Sequence, residues 1–359
     1  MDDKIRILEI NSSSDSGGGP AVMLDIIQSL KDRFDFIIVA PPGPYMDKYR
    51  ALGIITYPVP VRSLNPLLIR RIKQIINHEH IGLVHTHGKG AGIWGRLAAA
   101  SSAIPAIHTF HGLHYRNMNF LAKKFYFLLE KYLSKRTTRL INTSESENEE
   151  GLRLGLYPKN KSTIIHNGIA VHAAKGLPRD PHKIISIGNI SQQKNQQELV
   201  EIAKILPADM HIDIIGRSKD DALLRQIKLA IQAAGVSERV RLLGEKTAEE
   251  ISYELQTSFA YLTAALWEGL PLTLLEAGSS GLPVVASNTV GHTDIVRDGE
   301  TGFIFELGHP AQAVEKISRL RDSSLYQKIS ANLQNEINMH YSLGQMIAGY
   351  QSIYEQYAN

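Results

Sequence analysis

The sequence predicts an α/β protein built from two doubly wound, parallel-sheet domains. Three observations carry that expectation. The chain has 359 residues, roughly two domains at ordinary domain size. Short runs rich in Val and Ile alternate with longer amphipathic stretches, the pattern of strands buried on both faces beneath helices. The alternation falls into two series, separated near 173–182 (AAKGLPRDPH), where a glycine, two prolines and mixed charges read as an exposed linker.

In the first series, residues 5–10 (IRILEI) read as a strand, 21–33 as a helix, 36–40 as a second strand and 54–59 as a third. Residues 82–86 (GLVHT) and 106–110 (AIHTF) read as further buried strands, 120–135 as a long helix and 140–143 as a strand. β-Branched residues dominate the strands, and apolar spacings of three and four mark the helices. In the second series, 183–188, 212–216, 240–244, 259–263 and 284–287 are strands, with helices at 196–206, 222–234 and 247–256 between them. The tail, 342–357, carries Leu343, Met346, Ile347, Tyr350, Ile353 and Tyr354 as one helical stripe, which needs an apolar partner. The expected division is 1–175, 176–341 and a final helix at 342–359, which either domain could cover, with a return to the first domain as the expected option.

Composition narrows the function. Hydrophobic residues make up 43%, enough for sizeable cores. Lys and Arg number 39 against 36 Asp and Glu, a net charge of +3, which argues against a nucleic-acid-binding protein. There is no cysteine, so disulfide frameworks, thiol nucleophiles and thiolate metal sites are excluded. Residues 1–10 lack the apolar length of a signal-peptide core, and the longest uncharged run, 97–115, is interrupted by proline and histidines. The expectation is a soluble cytoplasmic protein, with a resting place on the inner face of the plasma membrane as a further option.

Two segments suggest an anionic ligand. Residues 12–20 (SSSDSGGGP) lie between the first strand and first helix, where glycines let backbone N–H groups approach a phosphate without a Cβ in the way. The spacing is neither the dinucleotide fingerprint nor a P-loop. Residues 267–287 (WEGLPLTLLEAGSSGLPVVAS) place Glu268 before a turn and Glu276 about one turn inside a helix that starts near Leu272. N–H groups at that helix start can hold a diphosphate, and a carboxylate can accept two hydrogen bonds from paired sugar hydroxyls. A helix with solvated acids is the plainer reading, weakened by small and apolar flanks.

His85 and His87 invite a metal reading. The expectation is that they project to opposite faces of a strand end, line a cleft and do not share an ion. Residues 116–139 hold seven Lys and Arg against one Glu, a net +6, around the stripe Leu121, Phe125, Leu128, Tyr132. Two readings stand open: an anionic membrane surface, or a helix whose stripe belongs to the core.

The Glu-x7-Glu segment resembles the nucleotide-binding signature of the family-four retaining glycosyltransferases of GT-B fold (glycosyl transferases group 1). Five more segments resemble that family in order: TFHG at 109–112, NTSESE at 142–147, IHNGI at 165–169, GNISQQK at 188–194 and DGETGF at 298–303. The resemblance implies GT-B architecture, with two Rossmann-like domains facing a central cleft. It implies that Glu276 holds the ribose hydroxyls and Glu268 faces the donor sugar. Backbone amides at Leu270, Leu272 and Thr273 would hold the diphosphate, Lys194 would neutralise it, and Gly18 and Gly19 would approach it. His111 would contact the sugar near its anomeric centre. The chain has no D-x-D sequence to hold a nucleotide-associated divalent ion, so no metal and no cofactor are expected, with Lys194 and helix N–H groups in the cation's place. Asn189 departs from the pattern, because arginine is usual there; Arg217 is a candidate to compensate.

The function expected is transfer of a sugar from a UDP- or GDP-linked donor to a saccharide or lipid-linked saccharide, in surface polysaccharide biosynthesis. A GT-B epimerase and a sugar-nucleotide-binding protein of weak activity remain alternatives; a dehydrogenase is disfavoured.

Overall fold

The computed structural model describes residues 4–15, 17–63, 65–113, 115–170 and 176–357. The chain divides into two compact units, Met1–Asn167 with Leu343–Asn359, and Gly168–Ser342. The first unit begins with β1 (Arg6–Asn11), α1 (Gly18–Leu30), β2 (Asp35–Ala40), α2 (Pro44–Ala51), β3 (Ile55–Pro58), α3 (Leu67–His78) and β4 (Leu83–His87). It continues through α4 (Lys89–Ser101), β5 (Ala106–Thr109), α5 (Phe120–Lys135), β6 (Arg139–Asn142), α6 (Glu145–Arg153) and β7 (Ser162–Ile164). The second unit runs β8 (Lys183–Ile187), α7 (Gln196–Ile205), β9 (His211–Ile215), α8 (Asp221–Ala233), β10 (Val240–Gly244) and α9 (Ala248–Thr257). It closes with β11 (Ala260–Thr263), α10 (Leu272–Ser279), β12 (Val284–Ser287), β13 (Phe303–Phe305), α11 (Pro310–Arg319) and α12 (Ser323–His340). The last helix, α13 (Leu343–Tyr357), belongs to the first unit.

The first sheet has seven parallel strands in the order β3-β2-β1-β4-β5-β6-β7, and the second has six, β10-β9-β8-β11-β12-β13. Strand order therefore reverses between β1 and β4 in one unit and between β8 and β11 in the other. In doubly wound sheets, ligands bind outside the carboxyl ends of the strands at that reversal, so each unit offers one such place.

The strands are short and apolar because both their faces are covered. β8 and β9 read KIISI and HIDII, and their isoleucines enter the core of the second unit. β4 is different: its sequence LVHTH is fully buried although three of its five residues are polar. Such groups need hydrogen-bond partners, and these lie at the site described below.

α13 buries Met346, Tyr350, Ile353 and Tyr354, and Tyr354 meets Phe34 edge to face at 5.6 Å. The expected return of the final helix to the first domain is thus observed.

Three expectations are corrected. α1 begins at Gly18, so Gly18 and Gly19 form its first turn instead of a loop before residue 21. The expected linker lies partly outside the described residues, at 171–175, and 176–182 is tied down. There the Arg179 guanidinium donates to the carbonyls of Leu255, Ser258 and Ser280, and the Asp180 N–H to Thr257 O at 2.8 Å. The core reading of α5 fails. Leu121, Phe125, Leu128 and Tyr132, with Phe120, are 46–78% exposed. The helix instead buries Tyr126, Glu130, Leu133 and Ser134, with Glu130 paired to fully buried Arg96 at 2.8 Å.

Candidate functional site

In the second unit, the reversal brings the end of β8 beside the end of β11. Gly188 and Asn189 follow β8, and the chain turns through Ser191–Lys194 before α7. This turn runs alongside 216–218: Gly188 N–H donates to Ile215 O and Ile190 N–H to Arg217 O, both at 2.9 Å. A Cβ at position 216 would collide with the Gly188 carbonyl, so only glycine allows this approach.

Glu268 lies in the segment from β11 to α10 and is buried. Its Oε1 pairs with Lys194 Nζ at 2.8 Å, and its Oε2 accepts from Gln193 Nε2 at 3.3 Å. Gln193 Nε2 also donates to Trp267 O at 2.9 Å, which fixes the turn to the Glu268 segment. Burial alone would lower the Lys194 ammonium, but the charge of Glu268, aided by Tyr261, outweighs it and raises the group. Lys194 is therefore a cation held ready beside a carboxylate.

α10 starts at Leu272, behind Pro271, with no side chain capping its N-terminus. Leu270 is buried, and Leu272 and Thr273 are half-buried in the first turn. The Thr273 hydroxyl lies 2.9 Å from the Tyr261 hydroxyl, which donates to Ile187 O at 3.3 Å, linking the helix start to the end of β8. Glu276, half-buried, stands one turn further in. His292, close enough to Glu268 and Lys194 to feel their charges, is buried, donates from Nδ1 to Ser287 O at 3.0 Å and is pushed down to about 4, by burial above all. Its Nε2 has no hydrogen-bond partner among the described residues. Lys194, Glu268 and the start of α10 are thus gathered at one reversal, with Asn189 and Arg217 on the adjoining turns. Gln193, Tyr261 and His292 are additions that sequence reasoning missed.

In the first unit, the reversal lies between β1 and β4, and the residues there are histidines and a buried acid. Parallel register sets Glu9 opposite His85 and Asn11 opposite His87, with Thr109 opposite His87 on the other side. The expectation that His85 and His87 face apart is wrong: residues two apart on a strand share a face. Their ring centroids are 4.0 Å apart, and both hydrogen-bond to Glu9, His85 Nδ1 at 3.2 Å from Oε1 and His87 Nε2 at 2.8 Å from Oε2. Ligand-type atoms of Glu9, His85 and His87 all lie within 4.8 Å of one another, the one such group among the described residues. A small ion would find donors there. The same atoms also complete a hydrogen-bond network without an ion.

His111 follows β5 and continues that network, its Nε2 lying 3.0 Å from His87 Nδ1. Glu147, buried at the start of α6, holds the loop: Oε1 accepts from Gly112 N–H at 2.6 Å and Oε2 from Thr143 N–H at 2.8 Å. The first turn of α1 lies against the same ring, since a Cβ on Gly19 would sit 3.7 Å from His111 Cδ2. Gly19 and His111, identified separately in sequence, are neighbours. Glu9 was not singled out, and Tyr354 was read only as part of the apolar stripe of the tail, although period-two reading of LVHTH and RILEIN would have put two histidines and a glutamate on adjacent faces.

A glycosyltransferase family 4 model matches residues 16–173, and a glycosyl transferases group 1 model matches 170–336. The chain is 29% identical over 364 residues to the UDP-Gal:alpha-D-GlcNAc-diphosphoundecaprenol alpha-1,3-galactosyltransferase of Escherichia coli, covering 93% of this chain and 92% of that protein. It is 22% identical over 308 residues to the capsular polysaccharide biosynthesis glycosyltransferase CapH of Staphylococcus aureus, covering 81% and 83%. The crystal structure of Anabaena HepE in complex with UDP has the same fold, with a TM-score of 0.85 at 17% identity over 98% of this chain and 100% of that one. Both halves are matched in order, and each unit carries its own doubly wound sheet: the chain belongs to the family-four glycosyltransferases of GT-B fold.

Proposed function

We propose that this glycosyltransferase moves a sugar from a UDP- or GDP-linked donor to a hydroxyl of a saccharide or lipid-linked saccharide, with retention of anomeric configuration, in surface polysaccharide assembly. The observation that carries the proposal is the Lys194–Glu268 pair at 2.8 Å beside the uncapped start of α10. A cation, a helix N-terminus and two carboxylates are what a diphosphate bearing two polyols needs. The lipid-diphosphate acceptor named for the E. coli relative supports the choice of acceptor.

In this reading Glu276 takes the ribose hydroxyls and Glu268 the hydroxyls of the donor sugar. Lys194, with the N–H groups of Leu270, Leu272 and Thr273, takes the diphosphate. Gly18 and Gly19 allow the first turn of α1 to approach that phosphate, and His111 contacts the sugar. Asn189 offers a weaker phosphate contact than arginine, with Arg217 on the neighbouring turn. The acceptor hydroxyl approaches the anomeric carbon on the face of the leaving group. Its oxygen forms the new bond as the bond to the diphosphate breaks, and its proton passes to the departing phosphate oxygen. The negative charge that collects there is what Lys194 and the amides stabilise, so no metal ion is needed. Activity in excess chelator checks that point.

The same proposal places the protein at the cytoplasmic face of a membrane, resting on anionic lipid through 116–139. The exposed apolar stripe of α5 and its surrounding lysines support it. Among the described residues no helix is long and apolar enough to cross a membrane.

Calorimetry with UDP and GDP tests the donor site. Glu276→Ala should weaken nucleotide binding at least about tenfold, the loss of roughly one charged hydrogen-bond pair, with the fold intact. Unchanged affinity would remove the assignment. Product linkage analysis after transfer from UDP-galactose tests retention.

A further inference from the structure

Lys194 and Glu268, the two charged groups that a sugar nucleotide needs from the second unit, are each other's partners. We propose that this pairing makes the site tell a sugar nucleotide from a free nucleoside diphosphate: Lys194 leaves Glu268 for the diphosphate readily only when sugar hydroxyls take its place on the carboxylate. This rests on the assignment, made above, of Lys194 to the diphosphate and Glu268 to the donor sugar.

The pair is built into the fold with one fixed member and one that can move. Lys194 Nζ lies 2.8 Å from Glu268 Oε1, and the two side chains are only 21% and 10% exposed. The carboxylate is held from two further directions. Its Oε2 accepts from Gln193 Nε2 at 3.3 Å, and that nitrogen is itself anchored on Trp267 O at 2.9 Å. The Glu268 N–H donates to Val290 O at 3.2 Å, which fixes the backbone that carries it. The lysine stem, by contrast, lies across Gly188: a Cβ there would sit 2.8 Å from Lys194 Cε and 3.3 Å from its Nζ. Glycine at the end of β8 therefore leaves the room in which the ammonium lies. A compact charge on a flexible four-carbon stem is the partner that changes place.

Charge balance then separates the two ligands. A nucleoside diphosphate without a sugar attracts Lys194. If the lysine goes to it, Glu268 keeps the Gln193 amide and loses its counter-charge in a site that water scarcely reaches. Taking one partner from such a pair costs far more than the intact pair contributes. If the lysine stays, the diphosphate lacks its cation. Either way the free nucleotide binds at a penalty. A donor sugar removes it, because hydroxyls donate to the carboxylate and release Lys194. After transfer the sugar is gone, Glu268 draws Lys194 back, and the nucleoside diphosphate is loosened at the step where it has to leave.

Calorimetry of the full-length protein with UDP and with GDP measures the penalty. Glu268→Gln keeps the shape and removes the charge that holds Lys194, so the nucleotide that binds the wild type should bind about tenfold more tightly. In the Lys194→Gln background the same substitution should leave affinity unchanged within about twofold, because there is no lysine to release. Unchanged or weaker binding by Glu268→Gln overturns the proposal. So does a gain of the same size without Lys194, which would mark simple repulsion between Glu268 and the phosphates. If Lys194→Gln alone does not fold, the first comparison decides by itself. The reading beneath fails in a different way. If the double variant, which buries no unpaired charge, binds as tightly as Glu268→Gln, Lys194 does not touch the diphosphate. If neither nucleotide binds the wild type or any variant, the donor site itself is misplaced.

Discussion

Asn189 stands where the family pattern has arginine, on a turn whose backbone is locked against Gly216. An arginine placed there should tighten UDP binding by up to about 1.5–3 kcal/mol, the value of a hydrogen bond to a charged group. Turnover need not rise, because firmer holding of the product offsets the gain. If Arg217 already serves the phosphate, the added charge will instead leave affinity flat or lower it, and Arg217→Ala will lose affinity. Calorimetry on both variants and their combination separates the cases. A second residue-scale prediction concerns His292, whose folded value near 4 lies below the ordinary 6.5. Its neutral form is favoured by folding, so its stabilisation is complete above about pH 6.5 and is lost as pH falls toward 4. Between pH 7 and 5 the wild type should lose on the order of 1–2 kcal/mol more than His292→Phe in denaturant titrations. Equal losses would show that His292 does not titrate as described. Residues such as Glu268 and Lys194 could be found in sequence because turn, helix start and acid spacing are local. His292 could not: the adjoining Gly291 lies against Gly269 and Glu268, an approach of segments more than twenty residues apart.

Among the elements, the β-branched strands and the helices at 120–135, 196–206, 222–234 and 247–256 were legible, α3 and α11 were missed although their apolar spacing is clear, and β7, β13 and α4 were missed for physical reasons. β7 and β13 have three residues each, too few to show alternation. α4, KGAGIWGRLAAAS, is rich in small residues and buried on most sides, so no polar face marks it. α5 was legible as a helix but not in its facing. Its stripe looked like core, yet the inward side is set by the buried Arg96–Glu130 pair, which removes a charge from the surface and leaves five large apolar side chains outside. Basic side chains at Lys124, Lys131 and Lys135 flank them on the exposed side. Replacing Lys123, Lys124, Lys131 and Lys135 with Gln should reduce co-sedimentation with vesicles containing phosphatidylglycerol, more so at low salt, where screening is weak. Replacing Phe125 and Leu128 with Ser should reduce it at all salt concentrations, since apolar insertion is not screened. If all proteins sediment alike, α5 is not the contact.

At the scale of the whole molecule, the sequence announced two sheets because each repeats strand–helix alternation. It left the tail's destination to packing, since a helical stripe says only that something covers it. In the structure α13 follows the second unit in the chain yet completes the first. Tyr350 and Tyr354 sit wholly inside that unit, and Tyr354 reaches Glu9 in the central strand. Burial of each large apolar side chain contributes about 1.5–3 kcal/mol, so the four inward residues of α13 supply a sizeable part of a domain's usual 5–15 kcal/mol. Removing residues 343–359 should therefore unfold or loosen the first unit while the second stays folded, although the cut lies at the second unit's own C-terminal boundary. Hydrogen exchange resolves the two: amides of β1 and β4 should lose protection, and those of β8 and β11 should keep it. Tyr350→Ala gives a milder form of the same test, with an expected cost of about 3–5 kcal/mol confined to the first unit. Loss of protection in both units together would mean that the two sheets unfold as one cooperative body, and α13 would then have to be counted as a support of the whole chain.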